Sequence, residues 1–292
     1  MKKRTILILG GSGFIGKAVI SELLKRRYKV IATYNRHKQS SKAFPNLHWV
    51  LWDATKEALP RINWNNISAI LHLANYSDLH DFPKNASQIF RISIESVFNV
   101  LDKAYRSNIK RVVIASTGAV LGGNKTINSE FNSYLPINFY SASKACAEIL
   151  ANEYSSIVST AVLRFFYPYG NGGERYLVGR LINNVKKGEE ILIEGRNGVI
   201  VNPVYLNDLA KGVALALKSK APGIFHLAGL EKISLRGLIE LIGKSVGKRP
   251  VIRVVSQKTP GGHAGFYSRA KKILGYIPKV PLKEGIERTL DI

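Results

Sequence analysis

The chain of 292 residues is predicted to adopt an α/β fold, a doubly wound parallel sheet with a smaller carboxyl-terminal lobe. Short, apolar, β-branched runs alternate with longer amphipathic stretches, and this alternation is typical of parallel βαβ units. A glycine-rich loop separates the first apolar run from the first amphipathic stretch. After Tyr167 the alternation gives way to loops rich in Gly and Asn. We therefore expect residues 1–166 to form the sheet domain and residues 167–292 to form mainly the smaller lobe, with some segments returning to the first domain.

The apolar runs predict six strands, and the amphipathic stretches between them predict three long helices. Right-handed crossovers between such strands place ligands at the carboxyl ends of the strands. The predicted strands are residues 5–9, 29–34, 47–52, 69–74, 111–115 and 160–166. The predicted helices are residues 14–25, 87–107 and 141–154.

Gly10, Gly13 and Gly16 lie between the first predicted strand and the first predicted helix. In such a loop the first glycine permits a tight turn, the second lets the backbone approach a pyrophosphate, and the third lets helix and strand pack closely. Phe14 and Ile15 begin the helix whose amino terminus would hold the phosphate, and we predict that they bind the cofactor with the glycines. The pattern therefore indicates a Rossmann-type dinucleotide site; the alternative is an ordinary glycine-rich turn.

The segment after the second predicted strand contains no carboxylate. An NAD-specific fold commonly places an Asp or Glu there to accept a hydrogen bond from the ribose 2′-hydroxyl. Asn35, Arg36 and Lys38 occupy the segment instead, and Arg36 with Lys38 behind it is suited to a 2′-phosphate. We predict NADP as the cofactor, with NAD the less favoured choice, and these three residues among its ligands. The alternative is that Arg36 and Lys38 are solvated surface residues.

Tyr140 and Lys144 are four residues apart near the start of the third predicted helix. Residues at this spacing share one helix face, so the lysine ammonium can lie beside the phenol. The positive charge favours the ionised phenol and makes Tyr140 a usable acid or base. Together with the glycine loop, the pair indicates redox chemistry on a carbon–oxygen bond, although Tyr140 could instead be a buried core phenol.

The composition narrows the class of protein. Hydrophobic residues make up 46% of the chain, which is enough for a full core. The formal charge of +23 favours an anionic partner without choosing among nucleotides, phosphorylated substrates, lipid headgroups and nucleic acid. Because no zinc-finger or helix-turn-helix signature accompanies the charge, we predict no dedicated nucleic-acid binding.

Cysteine, histidine and hydropathy patterns limit the remaining possibilities. Cys146 is the one cysteine, so an internal disulfide and a cysteine-built metal site are excluded, and we predict a packed helix residue there. His72, His226 and His263 are isolated, without metal-ligand spacing to a second His or Cys, and no metal is predicted. The basic start is interpreted as the flank of a strand and not as a signal peptide. No stretch approaches the ~20 apolar residues of a spanning helix, so we expect a cytoplasmic protein.

Several further motifs follow one another in a characteristic order. They are Trp52-Asp53, Leu71-His72-Leu73-Ala74, residues 115–122, 164–170 and 205–209, Ser268-Arg269-Ala270 and Leu274-Gly275-Tyr276. With the glycine loop and Tyr140-x-x-x-Lys144, this order resembles the extended short-chain dehydrogenase/reductases, the NAD-dependent epimerase/dehydratase group, over almost the whole chain. The resemblance implies the Rossmann fold and a carboxyl-terminal lobe that binds substrate.

The resemblance implies a catalytic triad of Thr117, Tyr140 and Lys144. Thr117 would hydrogen-bond the substrate oxygen from the end of the fifth strand, although it could also be a strand-end cap. Tyr140 would be the acid or base, and Lys144 would hold the nicotinamide ribose. The family pattern also implies that Asp53 meets the adenine and that Ala74 lines the wall beside the ribose. The other cofactor-binding residues that it implies are Ala54, Leu73 and Tyr167.

Departures from the family pattern reduce the number of reactions that this chain is expected to catalyse. In the dehydratases an Asp-Glu pair follows the catalytic Thr, whereas Gly118-Ala119 follow Thr117 here, so dehydration is disfavoured. The leading expectation is an NADP-dependent reductase of a 4-keto nucleotide sugar. A nucleotide-sugar epimerase with retained NAD(P), a reductase of another carbonyl, and a protein that binds NADP without turnover remain open.

The residues at the positions where the family binds the nucleotide diphosphate also depart from the family pattern. An Arg-Asp pair of the family is replaced by Val201-Asn202-Pro203, a second arginine by Thr259, and an Asn by Tyr167. The family often forms homodimers through its two long helices, here residues 87–107 and 141–154. The residues that could replace the missing arginines are Arg175, Arg180, Arg196 and Lys258.

Overall fold

The computed structural model describes residues 5–36, 44–76, 81–122, 127–258, 262 and 264–290. The chain divides into two compact units. The first consists of Met1–Val120, Pro136–Arg164 and Ala210–Phe225, and the second of Leu121–Leu135, Phe165–Leu209 and His226–Ile292. The chain therefore enters each unit more than once. The functional division at residue 166 stays a prediction.

The strands in the described part of the chain follow the apolar runs. They are β1 Thr5–Leu9, β2 Lys29–Tyr34, β3 Leu47–Leu51, β4 Ile67–His72, β5 Arg111–Thr117, β6 Ile127–Asn128, β7 Ser159–Phe165, β8 Glu190–Glu194, β9 Ile200–Val201, β10 Gly223–Leu227, β11 Ile233–Ser234, β12 Val251–Ser256 and β13 Ala264–Gly265. All six predicted strands are present, and β4 begins and ends two residues earlier than predicted.

The helices follow the amphipathic stretches. They are α1 Phe14–Lys25, α2 Ala86–Phe90, α3 Ser96–Arg106, α4 Phe139–Glu153, α5 Leu177–Lys187, α6 Leu206–Lys218, α7 Leu235–Val246, α8 Ser268–Leu274 and α9 Leu282–Leu290. A π-helical turn, Arg91–Glu95, joins α2 to α3, so the predicted helix 87–107 is present with an irregular middle. No helix among the described residues is both long and apolar enough to cross a membrane.

Seven strands form one parallel sheet in the order β10-β7-β5-β4-β1-β2-β3. This order reverses direction at β1, as in a doubly wound fold, and confirms the predicted fold class. In the pairing of β1 with β2, Ile6 lies opposite Val30, and in that of β1 with β4, Ile6 lies opposite Ala69. The carboxyl ends of β1, β2 and β4 are therefore neighbours along one edge of the sheet.

The first unit has a core between the sheet and two helices. Leu7 and Ile70 of the sheet are fully buried against Val100 of α3 and Ala151 of α4. Burying an aliphatic side chain of this size contributes about 1.5–3 kcal/mol to stability. Cys146 of α4 is exposed, so the prediction that it is packed was wrong. The buried face of α4 is occupied by other residues, including Ala145, Ala147 and Ala151.

The second unit has a separate core, formed largely by helices. Val178 of α5, Leu238 and Ile242 of α7, and Ile286 of α9 are all fully buried in it. In the described part of this unit, three two-stranded sheets pair β8 with β12, β9 with β11 and β6 with β13.

Candidate active site

The carboxyl ends of five neighbouring parallel strands carry half of the predicted site residues. Because parallel strands end at the same edge of a sheet, residues far apart in sequence are brought to one edge. Tyr167 follows β7 in the second unit, and Lys38 and Thr259 lie outside the described residues. The residues at this edge are Gly10 after β1, Asn35 and Arg36 after β2, Asp53 and Ala54 after β3, Leu73 and Ala74 after β4, and Thr117 at the end of β5.

The glycine loop is held tightly against the segment that follows β4. Gly10 has a positive φ of 84°, and a Cβ on it would lie 2.7 Å from the backbone nitrogen of Ala74. A Cβ on Gly16 would lie 2.5 Å from the carbonyl oxygen of Gly11. The Gly10 amide donates a hydrogen bond of 2.9 Å to Thr33 Oγ1. A larger residue at position 10 or 16 would clash with the backbone, so packing within the protein requires glycine at both positions.

Gly13 is different, because packing does not require a glycine there. A Cβ on Gly13 would meet only the carbonyl oxygen of Gly10, at 3.4 Å. Gly13 is the N-cap of α1, where no side chain caps the helix and the first turn contains no acidic residue. The positive end of the helix dipole favours an anion at this point. This part of the loop fits a dinucleotide pyrophosphate, with Phe14 and Ile15 supplying the first helical turn.

Arg36 and Asp53 lie close enough to interact electrostatically. Asp53 accepts hydrogen bonds from Thr55, of 3.0 Å from the amide and 2.7 Å from the hydroxyl. Partial burial raises the pKa of Asp53, but the hydrogen bonds from Thr55 and the charges of Lys56 and Arg36 hold it below its usual value. Asn35 and Arg36 are exposed. The guanidinium of Arg36 is therefore accessible from solvent.

Tyr140 and Lys144 are placed by the amino-terminal turn of α4. Asn138 and Ser141 form a capping box that fixes where the helix begins. Lys144 is buried, and its Nζ lies 6.0 Å from the centre of the Tyr140 ring. Burial lowers the pKa of Lys144 to about 8, an effect that the carboxylate of Glu148 opposes. At neutral pH the ammonium form therefore still predominates beside the phenol.

Thr117 and Lys144 are linked through β5. Lys144 Nζ donates a hydrogen bond of 3.3 Å to the carbonyl oxygen of Ala115, two residues before Thr117. The hydroxyl oxygen of Thr117 accepts from the amide of Ala119 at 3.2 Å, which leaves its proton for another acceptor. The carboxyl end of β5 and the first turns of α4 thus carry the three predicted catalytic side chains.

Residues 6–228 match the model of the NAD dependent epimerase/dehydratase family. The chain belongs to this family. Its members are NAD(P)-dependent oxidoreductases and epimerases of the extended short-chain dehydrogenase/reductase type.

Two curated relatives and one solved structure illustrate the range of the family. A dTDP-4-dehydro-6-deoxyglucose reductase of Escherichia coli is 28% identical over 314 residues, covering 99% of this chain and 97% of the relative. A UDP-glucuronate 4-epimerase of Thermodesulfobacterium geofontis is 26% identical over 306 residues, covering 98% and 94%. The UDP-glucuronic acid 4-epimerase of Bacillus cereus, solved with UDP-glucuronic acid and NAD, has a TM-score of 0.84 at 23% identity, covering 98% of each chain. The last comparison shows that the fold is shared.

A buried ion pair joins β7 to α4, the helix that carries Tyr140. The sequence motifs did not predict this pair. Glu148 lies one helical turn after Lys144, and Arg164 Nη2 donates to Glu148 Oε2 at 2.7 Å. Both side chains are almost completely buried, and Ser116 also donates a hydrogen bond to Glu148. The sequence feature that could have predicted the pair is Arg164 itself, which lies within the apolar run 160–166. A buried arginine requires an acidic or carbonyl partner.

His72 lies near Lys144 but cannot act as an acid or base at neutral pH. The ring is fully buried, and burial together with the charge of Lys144 lowers its pKa to about 3. Its Nε2 lies 2.7 Å from Ser96 Oγ, which itself donates to the carbonyl oxygen of Ile92 at 2.6 Å. Nε2 therefore carries the proton and donates to Ser96. We therefore expect His72 to be neutral at neutral pH and not to supply a proton to a ligand.

Proposed function

We propose that this protein is an NADP-dependent ketoreductase that reduces the 4-keto group of a nucleotide-linked deoxysugar. The observation that carries the proposal is the arrangement of Tyr140 beside the buried ammonium of Lys144, with Thr117 at the end of the adjoining strand. This arrangement is suited to protonating an oxygen on which negative charge develops.

Each side chain has a defined part in the proposed reduction. When bound, the reduced nicotinamide supplies the hydride that the carbonyl carbon accepts. Tyr140 gives its phenolic proton to the resulting alkoxide oxygen. Thr117 donates a hydrogen bond to the same oxygen, and the charge of Lys144 stabilises the tyrosinate that remains. The glycine loop and Arg36 would hold the diphosphate and the 2′-phosphate of the cofactor.

The turn after Thr117 argues against elimination of water. Residues Gly118–Leu121 form a short helical turn, and none of them is an acid or a base. Dehydration requires one group to remove a proton and another to protonate the departing hydroxyl. This turn supplies neither group, which favours simple reduction.

A nucleotide sugar as substrate is supported by the relatives. The Escherichia coli relative is named as a reductase of a 4-keto deoxysugar linked to dTDP, and the Bacillus cereus enzyme was solved with a UDP sugar. Asn202 does not contribute a diphosphate contact, because its side chain exchanges hydrogen bonds of 2.8 and 3.1 Å with the backbone of Gly265. The exposed residues Arg175, Arg180, Arg196 and Lys258 are the proposed replacements.

A nucleotide-sugar epimerase with retained NAD(P) is the second candidate. It is supported by the 26% identity with a UDP-glucuronate 4-epimerase and by the fold shared with an epimerase solved with NAD. An epimerase oxidises and then reduces the same carbon, so it consumes no net cofactor. Net consumption of NADPH therefore distinguishes the two candidates.

The proposal predicts loss of NADPH absorbance when the purified protein is mixed with the right member of a panel of 4-keto nucleotide sugars. The matched control is the Tyr140→Phe variant with the same substrate. Consumption by both proteins at one rate would contradict the assignment of Tyr140. Conversion of a UDP sugar to its 4-epimer without NADPH consumption would instead support the epimerase.

The cofactor preference is tested by Arg36→Glu. We expect the affinity for NADPH to fall about 10- to 100-fold, because a charge-assisted hydrogen bond contributes roughly 1.5–3 kcal/mol. The affinity for NADH should change by about twofold or less, since NADH has no 2′-phosphate. Fluorescence titration with each nucleotide measures both effects.

A control for the change of charge is Arg106→Glu. Arg106 is exposed at the end of α3, which precedes β5 and so lies toward the amino edge of the sheet. Two outcomes would mean that Arg36 contributes only general surface charge. In the first, Arg36→Glu loses affinity for NADPH and NADH equally. In the second, Arg36→Glu and Arg106→Glu lose the same affinity for NADPH.

A further inference from the structure

Lys144 is an ionisable group in a buried position, where burial works against its charge. Only 3% of its surface is exposed. Its Nζ donates a hydrogen bond of 3.3 Å to the carbonyl oxygen of Ala115, which is a neutral acceptor. Burial favours the neutral amine and is the larger influence on the pKa of Lys144, which it lowers to about 8. The proposed reduction uses the ammonium form, so a group that opposes the effect of burial is part of the site.

Glu148 opposes the effect of burial on Lys144. It follows Lys144 by four residues, so the two side chains share one face of α4. Its carboxylate raises the pKa of Lys144, against the larger effect of burial. Glu148 is itself fully buried. Because solvent screens a buried pair of charges much less than an exposed pair, one carboxylate at this position has a large effect on Lys144.

The carboxylate of Glu148 is fixed from two strands of the sheet. Arg164 of β7 donates from Nε to both carboxylate oxygens at 3.1 Å, and from Nη2 to Oε2 at 2.7 Å. Ser116 of β5 donates its hydroxyl proton to Oε1. These donors favour the ionised carboxyl group and hold it in one orientation. Ser116 directly precedes Thr117, so the carboxylate links the end of β5 to the turn of α4 that carries Lys144.

The other titratable groups that face Lys144 are His72 at the end of β4 and Tyr140 on α4. Burial and the charge of Lys144 lower the pKa of His72 to about 3, so His72 is neutral at neutral pH. The centre of the Tyr140 ring lies 6.0 Å from Nζ. As the proposed acid, Tyr140 is protonated before the reaction. Of these groups, Glu148 is therefore the one that supplies a compensating negative charge.

We propose that Glu148 is a positioning residue of the active site: its carboxylate, fixed by Arg164 and Ser116, holds Lys144 as an ammonium group beside Tyr140. The inference rests on the proposed reduction, in which the charge of Lys144 stabilises the tyrosinate. Because Glu148 is completely buried, it acts on the reaction through Lys144 and not by touching the substrate.

A pH titration of Lys144 in the free protein tests the proposal. NMR follows the Cε resonance of Lys144, which is assigned by its loss in Lys144→Arg. Glu148→Gln removes the negative charge at nearly constant volume. In this variant the ratio of ammonium to free amine at a given pH should fall about tenfold or more, because an opposite charge has been removed. The midpoint should then fall from about 8 to about 7 or lower. Glu148→Asp keeps the charge and should restore much of the midpoint.

Loss of stability alone is controlled for by two variants. Asp208→Asn removes a buried carboxylate of the second unit, whose Oδ2 accepts from two backbone amides at 2.7 and 2.8 Å, and it should leave the Lys144 midpoint unchanged. The double variant Arg164→Met/Glu148→Leu lacks the carboxylate but has an apolar pair in its place. Its midpoint should stay low although its stability recovers. A midpoint that recovered together with the stability would overturn the proposal, because Glu148 would then be only structural.

The pH dependence of turnover connects the titration to the reaction. With increasing pH, turnover should fall as Lys144 loses its proton, and in Glu148→Gln this fall should occur about one pH unit or more lower. A purely structural defect would lower turnover at every pH without moving the profile.

Two results would overturn the proposal: an unchanged Lys144 midpoint in Glu148→Gln, and a lowered midpoint with an unmoved turnover profile. The NMR titration needs neither substrate nor cofactor, so it can be separated from a failure of the proposed function. Absence of turnover with every 4-keto sugar would contradict the proposed function, whereas the lowered midpoint would still support the effect of Glu148 on Lys144.

Discussion

Replacing Tyr140 by Phe is expected to lower turnover by about 10² or more while leaving cofactor affinity nearly unchanged. The substitution removes only the phenolic oxygen, so the ring stays beside Lys144 and the amino-terminal turn of α4 is preserved. The developing alkoxide then loses the phenolic proton, and the buried His72, with a pKa of about 3, carries no extra proton at neutral pH that could replace it. Steady-state rates with the substrate identified by the panel, together with fluorescence titration of NADPH, measure the two quantities separately.

Tyr105→Phe is the matched control for this experiment. Tyr105 lies on α3 in the same unit, and it is 58% exposed. Removing a solvent-exposed hydroxyl should leave both turnover and cofactor affinity unchanged. If Tyr140→Phe were as active as Tyr105→Phe, another group would be the proton donor. If it lost cofactor affinity and turnover together, Tyr140 would contribute to binding and not specifically to the transition state.

Replacing Arg164 by Met is expected to lower the free energy of unfolding by about 3–5 kcal/mol. The guanidinium of Arg164 donates to both carboxylate oxygens of Glu148, at 2.7 and 3.1 Å, and the two side chains are 1% and 0% exposed. Methionine fills much of the same volume but leaves the Glu148 carboxylate buried with only its weaker partners. Urea unfolding followed by tryptophan fluorescence measures the loss, because Trp49, Trp52 and Trp64 all belong to the unit that contains the pair.

Two further variants separate the buried charge from other effects of the substitution. Arg26→Met breaks the pair between Arg26 and Glu22 on α1, which has the same 2.7 Å distance but is partly exposed, and should cost about 0.5 kcal/mol. The double variant Arg164→Met/Glu148→Leu should recover much of the stability, because a hydrophobic pair replaces the ion pair. A loss as small in Arg164→Met as in Arg26→Met would show that the buried pair contributes little.

Local patterns were sufficient to predict the elements that carry the site. The apolar run 5–9 and the amphipathic stretch 14–25 coincide with β1 and α1, and residues 29–34 coincide with β2. These elements depend on the periodicity of apolar residues and on the glycines between them, and both are local properties of the sequence. The family resemblance then located Thr117 at the end of the fifth strand, where the structure has it.

Predictions that depend on the exposure of a single residue are less secure. The neighbours of Cys146 predict a packed side chain, but the helix turns it away from the sheet and it is exposed. The amphipathic pattern predicts the helix at 87–107 but not its π-helical turn at Arg91–Glu95. The side chain of Ser96, directly after this turn, contacts His72 24 residues earlier in the sequence. No local pattern indicates such a contact.

The sequence by itself determined six strands, three helices, the glycine loop and the helical spacing of Tyr140 and Lys144, because each depends on residues near one another in the chain. It also determined the family, through the order of short motifs along the chain. Only the tertiary structure decided that Lys144 is buried next to Glu148 and that Arg164 and Ser116 hydrogen-bond the Glu148 carboxylate. It also decided that the side chain of Asn202 hydrogen-bonds the backbone of Gly265. Desolvation and pairing of charges depend on which side chains meet across the fold. The pKa of Lys144 and the partners of Glu148 are therefore set by contacts between α4, β5 and β7.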